Sequence, residues 1–187
     1  MPVETLISSI GLVFLMELGD KTMLTTMCLS AQYQRPGLVL LATIAALASS
    51  SVIAIIIGYI LSAALPIVII TYVSGILFVT LGIYTLAKSD SDVPDTCDNP
   101  GTLFGMFSLV LMSELGDKSQ ITILALAAQT QFVIMVFIGA IIGFLVVNAL
   151  GAWAGDRVAS KIPLSIVKKI VGVIFILFGV FIVIGIL

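Results

Sequence analysis

Two six-residue stretches hold the residues that could do chemistry. They are Glu17-Leu18-Gly19-Asp20-Lys21-Thr22 and Glu114-Leu115-Gly116-Asp117-Lys118-Ser119, separated by 114 − 17 = 97 positions. Each copy sets two carboxylates and an ammonium inside a long apolar segment. Charged groups at hydrocarbon depth are costly and usually mark a substrate or ion path. On a continuous helix, Glu17, Asp20 and Lys21 would fall at i, i+3 and i+4 on one face, as would Glu114, Asp117 and Lys118. A salt bridge that merely holds helices together would need one pair. Two matched sets exceed that need.

Four carboxylates brought together with hydroxyls and amides make an all-oxygen site. Such a site suits hard cations, Mg²⁺, Ca²⁺ and Mn²⁺, rather than Zn²⁺ or Cu⁺. The sequence has no histidine, which excludes a His-based metal site or general base. The expected metal-binding residues are Glu17, Asp20, Glu114 and Asp117. Further oxygens could come from Thr22, Thr25, Ser119, Gln120 and Thr122, with Lys21 and Lys118 close by as counter-charges. The copies differ where Met23 matches Gln120 and Ser51 matches Asn148, so the two halves of the site need not be equivalent. Met16, Met23 and Met112 are read as packing rather than as metal contacts. Four carboxylates cannot all stay ionised together in a low dielectric. An empty site therefore holds protons that an arriving divalent cation expels. No cofactor is expected; the metal is cargo.

The elements that must position these groups are membrane helices. Of the 187 residues, 60% are hydrophobic and 10% charged. Soluble domains carry roughly 25% charged residues, so the composition reads as an integral membrane protein with no separate soluble domain. The N-terminal segment lacks a basic leader and contains charges, which is not the pattern of a cleaved signal peptide. A net charge of −2 without a basic patch gives no reason to expect nucleic acid as a partner. Two cysteines, Cys28 and Cys97, do not suggest a disulfide framework.

Six apolar segments follow: 4–31, 38–64, 66–87, 102–129, 132–154 and 164–187. The first and fourth are long, at roughly 27 residues or about 40 Å of straight helix. A crossing needs about 20 residues. These two segments must tilt or break, and Gly19 and Gly116 are the expected break points. Broken helices free backbone groups that can ligate ions.

The duplication extends far beyond the motif. At the same offset and without gaps, Pro66 matches Pro163, Gly58 matches Gly155, and Gly75, Phe78 and Gly82 match Gly172, Phe175 and Gly179. The expected organisation is repeat 1 at 1–87, an acidic linker at 88–101 and repeat 2 at 102–187. Three crossings per repeat is odd, so the second copy should enter from the opposite side. The expected fold is all-α: six transmembrane helices in two inverted three-helix repeats, with helices 1 and 4 interrupted. Arg35, Lys88, Arg157, Lys161, Lys168 and Lys169 fall in or beside the loops of one face. That face should be cytoplasmic, with the linker, and both termini extracytoplasmic.

The doubled Glu-Leu-Gly-Asp-Lys-[Thr/Ser] pattern on segments 1 and 4 resembles the cation/proton antiporters of the Golgi, chloroplasts and bacteria. That family lies within the lysine-exporter superfamily and includes bacterial manganese exporters of the MneA type. The resemblance covers essentially the whole chain. It implies transport of Mn²⁺, and in some members Ca²⁺, in exchange for protons, with Glu17, Asp20, Glu114 and Asp117 binding the ion. The short chain is more like the prokaryotic members, which implies the inner membrane.

Other readings stay open. Asp20 and Asp117 could form an intramembrane aspartyl protease dyad, but those enzymes carry a Gly-x-Gly-Asp pattern and position 17 is Glu. A passive cation channel would move the ion without a pH change. An amino-acid exporter fits poorly with four acidic groups. The sequence leaves Mn²⁺ against Ca²⁺, proton stoichiometry and oligomeric state open.

Overall fold

A computed structural model of the chain describes residues 1–87, 100–159 and 164–185, with side chains outside 154–168. Among them lie eight helices: α1 (Pro2–Glu17), α2 (Lys21–Tyr33), α3 (Pro36–Ala64), α4 (Ile67–Ala87), α5 (Leu103–Glu114), α6 (Lys118–Gln129), α7 (Val133–Ala159) and α8 (Leu164–Val183). No strand occurs among the described residues. The helix starts follow local rules. Pro36 occupies the first turn of α3, where a missing N–H costs nothing. Thr102 caps α5 by accepting from the Gly105 N–H at 3.0 Å.

Both long segments are broken at the motifs. α1 ends at Glu17 and α2 begins at Lys21; α5 ends at Glu114 and α6 begins at Lys118. Gly19 and Gly116 take φ of 75° and 85°, the left-handed region that glycine enters without a Cβ clash. α1 and α2 meet at a bend of 67°. The break corrects one expectation. Glu17 does not share a helix face with Asp20 and Lys21, because the helix stops between them. Among the described residues three helices, Pro36–Ala64, Ile67–Ala87 and Val133–Trp153, are long and apolar enough to cross a membrane, and α1 with α2 makes a fourth if taken as one bent span. α5 and the Lys169–Val183 part of α8 are shorter apolar helices.

The packing follows the duplication. α1 lies on α7 and α5 on α3; α2 also packs on α7 and α6 on α3. Each broken helix pair is thus held by the long helix of the other repeat. α4 and α8 pack against each other through glycines: a Cβ on Gly82 would stand 2.6 Å from the Gly172 carbonyl oxygen, and one on Gly75 would stand 2.9 Å from that of Gly179. Between these contacts the repeat-related Phe78 and Phe175 stack at 5.8 Å. Contacts that descend along one helix while rising along the other make α4 and α8 antiparallel. The main core holds Leu12, Val13, Leu47, Phe78, Phe144 and Phe175. The apolar side chains left exposed on α3, α4 and α7 suit contact with lipid.

Two expectations meet the boundary of the description. The linker residues 88–99 and the side chains of Arg157, Lys161 and Lys168 lie outside it. Cys28 is disulfide-bonded, a bond that the two cysteines, read as suggesting no disulfide framework, did not announce. Cys97 is outside the described residues.

Candidate cation site

The breaks place the motif carboxylates at helix ends, where chain direction changes and backbone groups are freed. Glu17 is the last residue of α1 and Glu114 the last of α5. Asp20 and Asp117 stand at the N-caps of α2 and α6, where a negative charge is favoured by the helix dipole. In each repeat the residue four places after the break glycine satisfies its freed amide. Gly116 N donates to Gln120 Oε1 at 2.6 Å, and Gly19 N to Met23 Sδ at 3.4 Å.

The glutamates lie deep. Glu17 is 0% exposed and Glu114 2%. Their surroundings differ sharply. Glu114 accepts from the Thr22 hydroxyl of the other repeat and from the Ser119 hydroxyl at 3.1 Å. Neither oxygen of Glu17 has a hydrogen-bond partner among the described residues. A carboxylate so buried costs several kcal/mol unless a proton or a cation neutralises it. Glu17 lies within electrostatic reach of Glu114, Asp20, Asp117 and Lys118, so the four acids share one neighbourhood.

The charge pairing runs across the duplication. Lys118 Nζ stands 2.8 Å from Asp20 Oδ1, joining the second motif to the first. Lys21, its counterpart, is exposed. The Asp20–Lys118 pair borders a cavity of about 30 Å³ lined by Leu15, Met16, Leu18, Gly19, Thr85 and Val171, room for about one water. Among the described residues, no three Asp, Glu, His or Cys side chains stand close enough together to enclose a metal ion. The carboxylates are gathered but not closed around a common centre.

The remaining expected oxygens divide. Thr22 and Ser119 reach Glu114. Gln120 braces the second break and reaches the Ser50 carbonyl at 3.5 Å. Thr25 does not reach the acids: its hydroxyl turns back to the Lys21 carbonyl at 2.9 Å. Thr122 donates to Met16 Sδ and to the Lys118 carbonyl, both at 2.9 Å. Ser51 turns back to the Leu47 carbonyl at 2.7 Å. Asn148 accepts from Thr26 at 3.0 Å. Met16 and Met23 are buried in packing, and Met112 is exposed. The polar residues Thr26, Ser30 and Thr43 escaped the sequence reading. Their signal was available: Thr22, Thr26 and Ser30 recur every fourth residue, which puts them on one helix face.

The family model for divalent cation/proton antiporters, GDT1, matches residues 5–93 and 102–186. The chain belongs to that family. Its activity is therefore transport, and it is not an enzyme. Among curated relatives, the Vibrio cholerae protein named "Putative manganese exporter" is 29% identical over 170 residues, covering 90% of this chain and 85% of that protein. A GDT1-like protein of Synechocystis is 29% identical over 191 residues, covering 90% of this chain and 91% of its own. A chloroplastic GDT1-like protein of rice is 32% identical over 206 residues, covering 90% of this chain but 58% of the longer relative. No solved structure matches the chain. Membership of a divalent cation/proton antiporter family makes the chain a transporter of cations.

Proposed function

We propose that Glu17, Asp20, Glu114 and Asp117 form one site that holds either a divalent cation or protons. The cation is Mn²⁺ foremost, with Ca²⁺ second, and it is exported across a prokaryotic plasma membrane against proton inflow. The carrying observation is the buried glutamate pair in a divalent cation/proton antiporter family. Among the described residues Glu17 has no partner for either oxygen, and Glu114 lies within its electrostatic reach. Such a carboxylate must be neutralised by whatever occupies the site. A proton and a divalent cation are alternative answers to the same need. All-oxygen donors suit Mn²⁺ and Ca²⁺. The manganese reading draws further support from the Vibrio relative's name.

In this reading Lys118 holds the place of the cation on Asp20 while the metal is absent. The entering ion displaces the ammonium and draws Asp20, Glu17, Glu114 and Asp117 inward. Thr22 and Ser119, which already reach Glu114, complete the shell. The fold that performs this is six crossings in two inverted repeats, 1–87 and 102–187, joined by a cytoplasmic linker, with both termini extracytoplasmic. The antiparallel meeting of α4 and α8 at repeat-related glycines and phenylalanines supports the inversion.

The test is purified full-length protein in liposomes with a pH-sensitive dye inside. Adding external Mn²⁺ should drive proton movement opposite to the metal. Metal entry without any pH change would make the protein a passive channel and overturn the exchange reading.

A further inference from the structure

A row of buried hydroxyls leaves the carboxylate site along α2. Thr22, Thr26 and Ser30 share one face, and all three are buried. Thr22 donates to Glu114. One turn further, the Thr26 hydroxyl lies 3.0 Å from Asn148 Oδ1 and 3.2 Å from the Thr43 hydroxyl. Asn148 fixes its own amide on the Phe144 carbonyl at 3.0 Å. Another turn on, Ser30 Oγ is buried with no hydrogen-bond partner among the described residues. α2 ends three residues later at Tyr33 (33 − 30 = 3). The row therefore runs from Glu114 away from the Asp20–Lys118 pair, toward the end of α2.

The second repeat lacks it. At the offset of 97, Thr26 corresponds to Ile123, Ser30 to Ala127 and Thr43 to Ala140, all buried. Asn148 corresponds to Ser51, whose hydroxyl bonds within its own helix. The same architecture thus packs with hydrocarbon at these places. Polar groups there are not a packing need, and an unsatisfied buried hydroxyl costs about 1–3 kcal/mol.

We propose that Thr22, Thr26, Thr43, Asn148 and Ser30 form the proton route between the carboxylate site and the membrane face where α2 ends, with water completing the steps between Thr22 and Thr26 and beside Ser30. A hydroxyl both donates and accepts, so each hydroxyl receives a proton as it gives up its own, while Asn148 only orients the Thr26 hydroxyl, and the row ends unchanged. The metal cannot follow. Thr26 is in hydrogen-bond contact with both Thr43 and Asn148, which leaves no space there for a cation with its six or more oxygen ligands. Metal and proton reach the site by different ways: the metal past Asp20 and Lys118, the proton along α2. This rests on the exchange reading and adds the route to it.

The test uses the full chain in liposomes with Mn²⁺ as the probe. Two measurements are made: metal-driven proton movement, and equilibrium Mn²⁺ binding in detergent. Thr26→Val should slow proton movement by about tenfold or more, with Mn²⁺ affinity held within about twofold. Thr26→Ser, which keeps the hydroxyl, should restore the rate. Ser30→Ala removes an unpartnered hydroxyl, so it should fold at least as well as wild type and still slow the protons. It carries the test if Thr26→Val fails to insert. Full rates in both variants would overturn the route, as would parallel loss of Mn²⁺ affinity or a Ser variant as slow as Val. A wild-type protein that moves Mn²⁺ without protons would instead overturn the exchange reading itself.

Discussion

Lys118 Nζ sits 2.8 Å from Asp20 Oδ1, so the ammonium of one motif neutralises a carboxylate of the other. The bridge joins residues 98 positions apart and ties the two breaks together (118 − 20 = 98). Both partners are mostly sheltered, at 24% and 17% side-chain exposure. A charge-assisted contact of this kind contributes about 1.5–3 kcal/mol.

From this pair comes a double-mutant prediction. Asp20→Asn and Lys118→Met should each lower the unfolding temperature in detergent, because each strands a sheltered charge. The double variant should recover most of the stability and none of the transport. Additive losses in the thermal unfolding cycle would mean the pair is not coupled.

The two buried glutamates should respond differently to neutralisation. Glu17→Gln removes a charge that has no hydrogen bonds to lose, so the fold should be unharmed. Glu114→Gln sets an amide against the Thr22 and Ser119 donors and should cost about 1 kcal/mol. Both variants should lose transport with a 30-fold or larger loss of cation affinity, about 2 kcal/mol or more. Thermal unfolding paired with metal uptake checks the contrast. Normal uptake by Glu17→Gln would remove it from the site.

Glycine substitutions separate the breaks from the helices. Gly116 has open space where a Cβ would go, so Gly116→Ala meets only the penalty of φ 85°, about 1–2 kcal/mol. Gly11 also has open space but lies within α1. There Gly11→Ala should stabilise by roughly 0.5–1 kcal/mol. Opposite signs in chemical denaturation are the expected outcome; equal effects would mean the break at Gly116 is not a fixed left-handed turn.

Much of this was legible before any coordinates. The helix starts at Lys21, Pro36 and Ile67 recur 97 positions later at Lys118, Val133 and Leu164, and the glycines of the α4–α8 crossing recur with them. The breaks were legible in excess length plus a glycine. The partners of individual side chains were not. Thr25 and Thr26 are equally plausible ligands in the sequence. Only the direction in which α2 leaves the bend decides that Thr26 turns inward and Thr25 bonds its own backbone. The cross-repeat choice of Lys118 for Asp20 was equally hidden, since a motif read by itself pairs Asp20 with its neighbour Lys21.

Orientation has its own measurement. The Lys and Arg residues of one face predict that both termini are extracytoplasmic. A disulfide at Cys28 pulls the other way, since such bonds persist in oxidising compartments. Reporters fused at each terminus decide it. Fusions active only in the cytoplasm would invert the assignment, and export would then need the opposite cycle.

Protons and metal should compete for the same oxygens. A divalent cation requires at least two ionised carboxylates, whereas the empty site must shed that charge before its conformation can change. Protons are the available substitute, because Lys118 serves Asp20 and Lys21 is exposed. Lowering the pH therefore favours the proton-loaded form and weakens metal binding, and raising it does the reverse. Mn²⁺ uptake measured in liposomes between pH 8 and about pH 5.5, where buried carboxylates titrate, should show an apparent affinity that falls with each step toward acid. In equilibrium Mn²⁺ binding to the detergent-purified protein, the pH dependence should flatten in Glu17→Gln and Glu114→Gln, since each variant has one fewer group for protons to occupy. An affinity that stays constant across that range in the wild-type protein would mean that metal and proton do not share these oxygens.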